Sequence, residues 1–397
     1  MEPAATPTDA PQPLAPHSIW QFYGYFLRLG AAGFGGPIAL AGFMQRDLVE
    51  DRRWISSEDY RDGLALAQLA PGPLAAQLAM YLGYVRAGTL GASIVSVCFI
   101  LPSFLMVWAL SVAYVRFGGL PWMQALFYGI GAAVIGIIAR SAHKLTRLTL
   151  GRSPMLWSIA AVVAAVTAWA EREIIWLFVL AGVVTAFVPG LAAIRKSKGK
   201  VPVASSLVLV LPMAQGTPQV SLSGIFWLFA KAGAFVFGSG LAIVPFLYGE
   251  LVQTNGWLND RQFLDAVAVA MITPGPVVIT VAFIGYLVAG PWGMVAASVG
   301  VFLPVYLFVV VPAPFFRRHR SQPVLKAFVE GVSAAATGAI AGAAYVLGMR
   351  ALVDAMTVII AVATFIVLFR WKVSEPWLIA AAGLLGLALA SGGFVGR

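Results

Sequence analysis

The chain is an internal duplication, and no other feature restricts its fold as much. Shifted by 203 positions, Phe34-Gly35 falls on Phe237-Gly238, Trp54 on Trp257, Asp62 on Asp265, and Pro71-Gly72-Pro73 on Pro274-Gly275-Pro276. Across residues 22–73, 16 of 52 positions are identical without a gap. After one deletion the offset becomes 202, and Gly83-Tyr84 pairs with Gly285-Tyr286, Pro102 with Pro304 and Gly129 with Gly331. Apolar composition alone would align Leu and Ala, not Trp, Asp and two copies of Pro-Gly-Pro. Whatever the first half folds into, the second half repeats.

Each half is a series of apolar stretches near the length of about 20 residues that a spanning helix needs. They run over 19–44, 63–85, 88–115, 120–140, 155–170 and 174–194, then over 222–248, 263–288, 291–316, 324–348, 351–370 and 377–394. Only 11% of the 397 residues are charged, against about a quarter in soluble domains. The runs are continuous rather than alternating by two, which excludes a β-barrel. The expected fold is an all-α polytopic membrane protein of two homologous, inverted repeats with discontinuous transmembrane helices, about 12–13 crossings in all. The expected divisions are a disordered tail over 1–18, a first repeat over 19–194, a basic linker with a short apolar segment over 195–220, and a second repeat over 221–397. The tail holds five prolines and no Lys or Arg, the wrong polarity for a signal peptide.

Several chemistries drop out. Cys98 is the only cysteine, and His17, His143 and His319 lie far apart, so no metal-ligand spacing exists. There is no phosphate-loop motif and no intramembrane catalytic set, so neither enzyme nor cofactor is expected. The net charge of +10 reads as cytoplasmic loops, not as nucleic-acid binding. In the first half the basic loop (Arg140, His143, Lys144, Arg147, Arg152) follows the fourth stretch. In the second half it follows the third (Arg317, Arg318, His319, Arg320). A second half sitting upside down would shift the loop in this way. Inversion requires Val201–Ala214 to cross, giving about 13 crossings; the parallel alternative has about 12 and exposes Arg317–Arg320 outside.

The chemistry points to the breaks. Gly33-Phe34-Gly35-Gly36-Pro37 and Phe237-Gly238-Ser239-Gly240 interrupt the first stretch of each half, and Pro-Gly-Pro interrupts the second. Proline removes a backbone donor and glycine tolerates unusual dihedrals. Four breaks in register imply half-helices whose N-termini suit an anion. The expected binding residues are Gly35, Gly36, Pro37, Pro71, Gly72, Pro73, Gly238, Ser239, Pro274, Gly275 and Pro276. Arg28 and Lys231 match under the repeat and would add charge near a central axis, an arrangement suited to a divalent tetrahedral oxyanion. The matched acids Asp47/Glu250 and Asp62/Asp265 are candidates for gate salt bridges or proton coupling. Trp54 and Trp257 read as interfacial anchors.

Phe34-Gly35-Gly36-Pro37, then Trp54, Asp62 and the run Leu64 to Pro73, resemble the chromate ion transporter family in its long, two-repeat form. Phe237-Gly238-Ser239-Gly240, Trp257 and Pro274-Gly275-Pro276 are similar to that family's second domain, although Ser239 and Gly240 replace Gly36 and Pro37. The resemblance covers roughly residues 20–390. It implies an inner-membrane carrier that expels chromate from the cytoplasm, driven by membrane potential or proton gradient, and confers chromate resistance. Sulfate or another tetrahedral oxyanion is the alternative cargo. The expected partners are the oxyanion and membrane lipid, with no nucleic acid and a homodimer left open.

Overall fold

The computed structural model describes residues 14–34, 36–117, 120–171, 174–194, 220–235, 243–315, 323–371 and 373–391. Among them the chain is helical without strands, as the apolar runs require.

The first half opens with two hairpins. Helix α1 (Ile19–Ala32) is capped by Ser18, with Gln21 closing a capping box, and stops at Gly33. Helix α2 (Gly36–Met44) continues through a π-helical turn, Gln45–Asp51. This second limb returns along the first. Tyr25 Oη donates to Asp47 at 3.3 Å, and the His17 ring stacks on Trp54 at 4.7 Å. Arg53, at φ 54°, turns the chain toward α3 (Ser57–Leu69), whose first turn is capped by Ser56. Past the Pro71-Gly72-Pro73 tip, the first limb of α4 (Leu74–Phe117) runs back, and Arg86 donates to His17 Nε2 at 3.0 Å. Both hairpins therefore begin and end on one face of the bundle. At Ala87–Gly88 the helix breaks (Gly88 φ 60°, ψ −149°, a conformation for glycine), and its second limb runs on to the other face.

The second half repeats this with α8 (Leu222–Phe235), α9 (Ile243–Tyr248) and its π turn Gly249–Thr254, α10 (Asp260–Ile272) and α11 (Thr280–Val310). Gly256 stands at φ 61° where the first half has Arg53, Asn259 caps α10, and α11 breaks at Ala289–Gly290. The two long limbs run antiparallel. Tyr306 Oη, late in α11, lies 2.8 Å from Ser93 Oγ and donates to Thr89 O, both at the start of the α4 limb. The repeats are thus inverted.

The stretches 19–44 and 63–85, counted as crossings from their length, do not cross. Limbs of 13 or 14 residues reach only about 20 Å at 1.5 Å per residue. The charged segment between them stays at the face where both hairpins start. Among the described residues, four helices are long and apolar enough to cross by length and composition, within α4, α5 (Pro121–Leu150), α11 and α12 (Pro323–Ala351). Shorter apolar helices follow in each half: α6 (Pro154–Ala170) and α7 (Ile175–Ile194), then α13 (Ala355–Arg370) and α14 (Glu375–Ser391).

These helices exchange partners between halves. α5 packs on α13 and α14, and α12 packs on α6 and α7. Glycine makes the contacts close enough for backbone to meet backbone: Gly129 on Ala382, Gly136 on Ala361, Gly338 on Ala160 and Gly331 on Ala181. The tail 1–13, the linker Arg195–Lys200 with Val201–Ala214, and Arg317–Arg320 lie outside the described residues.

Candidate oxyanion path

Each Pro-Gly-Pro tip reaches the other half. Gly275 (φ +100°) donates its N–H to Gly33 O at 2.9 Å, and Ser103 Oγ of α4 donates to Gly30 O at 3.2 Å beside it. The second-half tip is thereby sealed onto the first-half glycine break, with Pro274, Gly275 and Pro276 all buried. Gly72 (φ +138°) packs its tip against Val305, the repeat partner of Ser103. Gly36 begins α2 and Pro37 is half-buried, while Gly35, Gly238 and Ser239 lie outside the described residues.

Arg28 is exposed one turn before Gly33. It lines a cleft of about 350 Å³ together with Gly33, Arg46, Asp47, Asp51 and Arg52. Arg46 pairs with Asp47 at 2.9 Å, and the Arg52 guanidinium lies over the rings of Tyr25 and Trp54. Arg28 makes no ion pair or hydrogen bond among the described residues. Lys231 is half-buried in α8 and is not part of this cleft. Where Arg46 and Arg52 stand, the second repeat has Gly249 and Asn255. Among the described residues the cationic cleft therefore lies on one face.

That face also receives Arg53, Arg61 and Arg86, and the end of α5 brings Arg140, Lys144, Arg147 and Arg152 to it. The opposite face carries a different polar layer. Arg350 Nη1 donates to both Asp260 oxygens at 3.0 Å, its Nη2 pairs with Glu171, and its guanidinium lies 5.5 Å from the Tyr248 ring centre. Tyr248 Oη donates to Asp260 at 2.6 Å. This network ties α12, α10, α9 and the end of α6 together. Nothing in the sequence singled out Arg350 beyond a loop charge; its repeat partner is Leu148. Nearby, burial works to raise the Asp354 carboxyl, but hydrogen bonds from Tyr128 and Thr357 outweigh it and hold the group below the usual range.

Of the matched acids, Asp62 and Asp265 are buried, at 4% and 3% exposure, while Asp47 is at the cleft and Glu250 is half-buried in the π turn. Asp265 accepts from Tyr114 Oη at 2.6 Å, a contact spanning 151 residues. Tyr114→Phe should lower stability by about 1–3 kcal/mol, because a buried carboxyl loses its donor. Thermal unfolding in detergent checks this; an unchanged melting curve would show that Asp265 does not need the phenol.

The family assignment follows from where the match falls. The family described as chromate transporter matches residues 20–186 and again 223–387. The chain belongs to the chromate transporter family. Among its relatives is a chromate transport protein of Cupriavidus metallidurans, 57% identical over 94% of this chain and 93% of that protein. Another, a chromate transport protein of Pseudomonas aeruginosa, is 34% identical over 96% and 94%. An uncharacterized transporter of Bacillus subtilis is 27% identical over 170 residues, which are 41% of this chain but 93% of that protein. One repeat of the chromate transporter fold thus corresponds to a whole relative. No solved structure matches the chain.

Proposed function

We propose that the chain exports chromate from the cytoplasm across the inner membrane by alternating access and so confers chromate resistance. The observation that carries this reading is the one-sided cationic cleft leading to the glycine break of α1 and α2. The basic face is cytoplasmic by the loop-charge rule. The cleft gathers the oxyanion through Arg28, Arg46 and Arg52. Backbone N–H groups at the start of α2 and α4, beside Gly35-Gly36-Pro37 and Pro71-Gly72-Pro73, then hold it. Lys231, Gly238 and Ser239 serve the outward half of the path. Because Gly275 already donates to Gly33, the Pro274–Pro276 tip acts as a seal that must part for passage, not as a donor.

Expelling an anion from a negative-inside cell is downhill by about 2.3 kcal/mol per charge per 100 mV, so the potential suffices as the driving force. Asp62 and Asp265 are the groups available for proton coupling. The test is chromate accumulation in everted vesicles with an inside-positive potential, with Arg28→Gln and Lys231→Gln beside the wild type. Accumulation should fall by an order of magnitude in Arg28→Gln and less in Lys231→Gln. Uptake of sulfate without chromate would overturn the ion assignment. Loss of uptake on collapsing the pH gradient at constant potential would overturn potential-driven exit.

A further inference from the structure

Gln77 is fully buried in the first turn of α4, directly after the Pro71-Gly72-Pro73 tip. Its Nε2 donates to Pro71 O at 2.7 Å. That bond orients the amide, since the reversed group would set two oxygens against each other. The other end, Oε1, is buried without any hydrogen-bond partner. Native proteins rarely leave such an acceptor empty, and an orphan of this kind asks for a donor. The repeat does not keep an amide here, because the second half has Ile279 and Thr280 at the matching place.

The start of α4 beside it supplies donors. Pro73 stands at the capping position and has no side-chain acceptor, so the first-turn N–H groups of Leu74, Ala75 and Ala76 are open to a ligand. The bare Cα of Gly72 lies directly against the Gln77 amide: a methyl there would sit 2.7 Å from Nε2. A ligand at this tip meets several N–H donors and one carbonyl oxygen. A fully ionised oxyanion satisfies the donors but sets its own oxygens against Oε1. An oxyanion that keeps one proton satisfies both.

We propose that the α3–α4 tip binds the monoprotonated form of a tetrahedral oxyanion, its O–H donating to Gln77 Oε1 and its ionised oxygens accepting from the α4 N-terminus. This rests on the transport reading and makes hydrogenchromate the species carried. The chromate dianion takes up its first proton close to neutral pH, whereas the sulfate dianion does so only in strongly acidic solution. Gln77 therefore discriminates between two ions of nearly the same shape.

The test is equilibrium binding of chromate to the purified full-length protein, without gradients, over a pH series. Above chromate's own protonation point the apparent Kd for total chromate should rise about tenfold per pH unit. Gln77→Met, or Gln77→Leu if the first variant does not fold, should bind more weakly with no such slope, and should lose its preference for chromate over sulfate. A wild-type Kd independent of pH overturns the proposal, since the dianion is then the ligand. A slope retained in both variants also overturns it, because the proton is read elsewhere. Absence of chromate binding at every pH would instead bring down the transport reading itself.

Discussion

Gly275→Ala should abolish chromate uptake in everted vesicles, with Ser103→Gly restoring part of it. Gly275 sits at φ +100°, outside the range that a residue with a Cβ adopts without strain, which costs about 1–3 kcal/mol. The added methyl also overlaps Ser103 Oγ and comes within 3.2 Å of Gly30 O. Ser103 Oγ is held by its bond to Gly30 O and the Gly30 carbonyl is backbone, so the tip is expected to lift and give up the Gly275–Gly33 hydrogen bond. Removing the Ser103 side chain relieves the overlap but not the dihedral strain, so rescue is incomplete. Gly72→Ala meets mainly the Gln77 amide and should be milder. Uptake in Gly275→Ala equal to wild type would show that the seal is not part of the transport cycle.

Arg350→Gln should open the face opposite the basic one. Each contact of Arg350 is partly exposed and worth at most about 1 kcal/mol alone. Together the two carboxylates and the Tyr248 ring form a network about three contacts strong, on the order of 2 kcal/mol, or about thirtyfold in a two-state equilibrium. At the cleft on the basic face the contacts Arg46–Asp47 and Tyr25–Asp47 stay within one hairpin, so the state expected is open toward the basic side and tied shut on the other. Cys98 is the only cysteine, so a Cys98→Ser background allows a single reporter at the buried Ala266 of α10. Labelling by a water-soluble maleimide should rise at least tenfold in Arg350→Gln and return with Arg350→Lys. Equal labelling in all three would mean that the network only stabilises the resting fold.

Much of this architecture was legible from the repeat. The shift of 203 predicted the paired breaks, and α3 and α10 obey it to the residue, from Ser57 and Asp260 at their starts. Inversion was legible in the loop charges, and it survives the loss of four crossings because the two hairpins of each half remove one crossing apiece, an even number per half. The hairpins themselves were not legible, since hydropathy reports how apolar a segment is but not whether it turns back at a glycine. Arg28 and Lys231 illustrate the cost. Placed by repeat symmetry on one axis, they belong to hairpins entering from opposite faces, and only Arg28 reaches the cleft. The Tyr114–Asp265 bond was equally hidden, because the residue matching Tyr114 is Phe316 and carries no hydroxyl to repeat.

The exchange of helices between halves bears on how the molecule is made. α5 finds its main partners only in residues 323–391, and α6 and α7 wait for α12. At about 5–20 residues per second of synthesis, α5 stands in the membrane for on the order of tens of seconds before its neighbours exist. During that interval its glycine-lined face is open to lipid and to other nascent chains. A ribosome-bound first half is thus the stage of this protein's life most exposed to mispairing. A chaperone or insertase that shields the stripe Ala125–Gly129–Ala133–Gly136 would protect yield without touching the finished carrier.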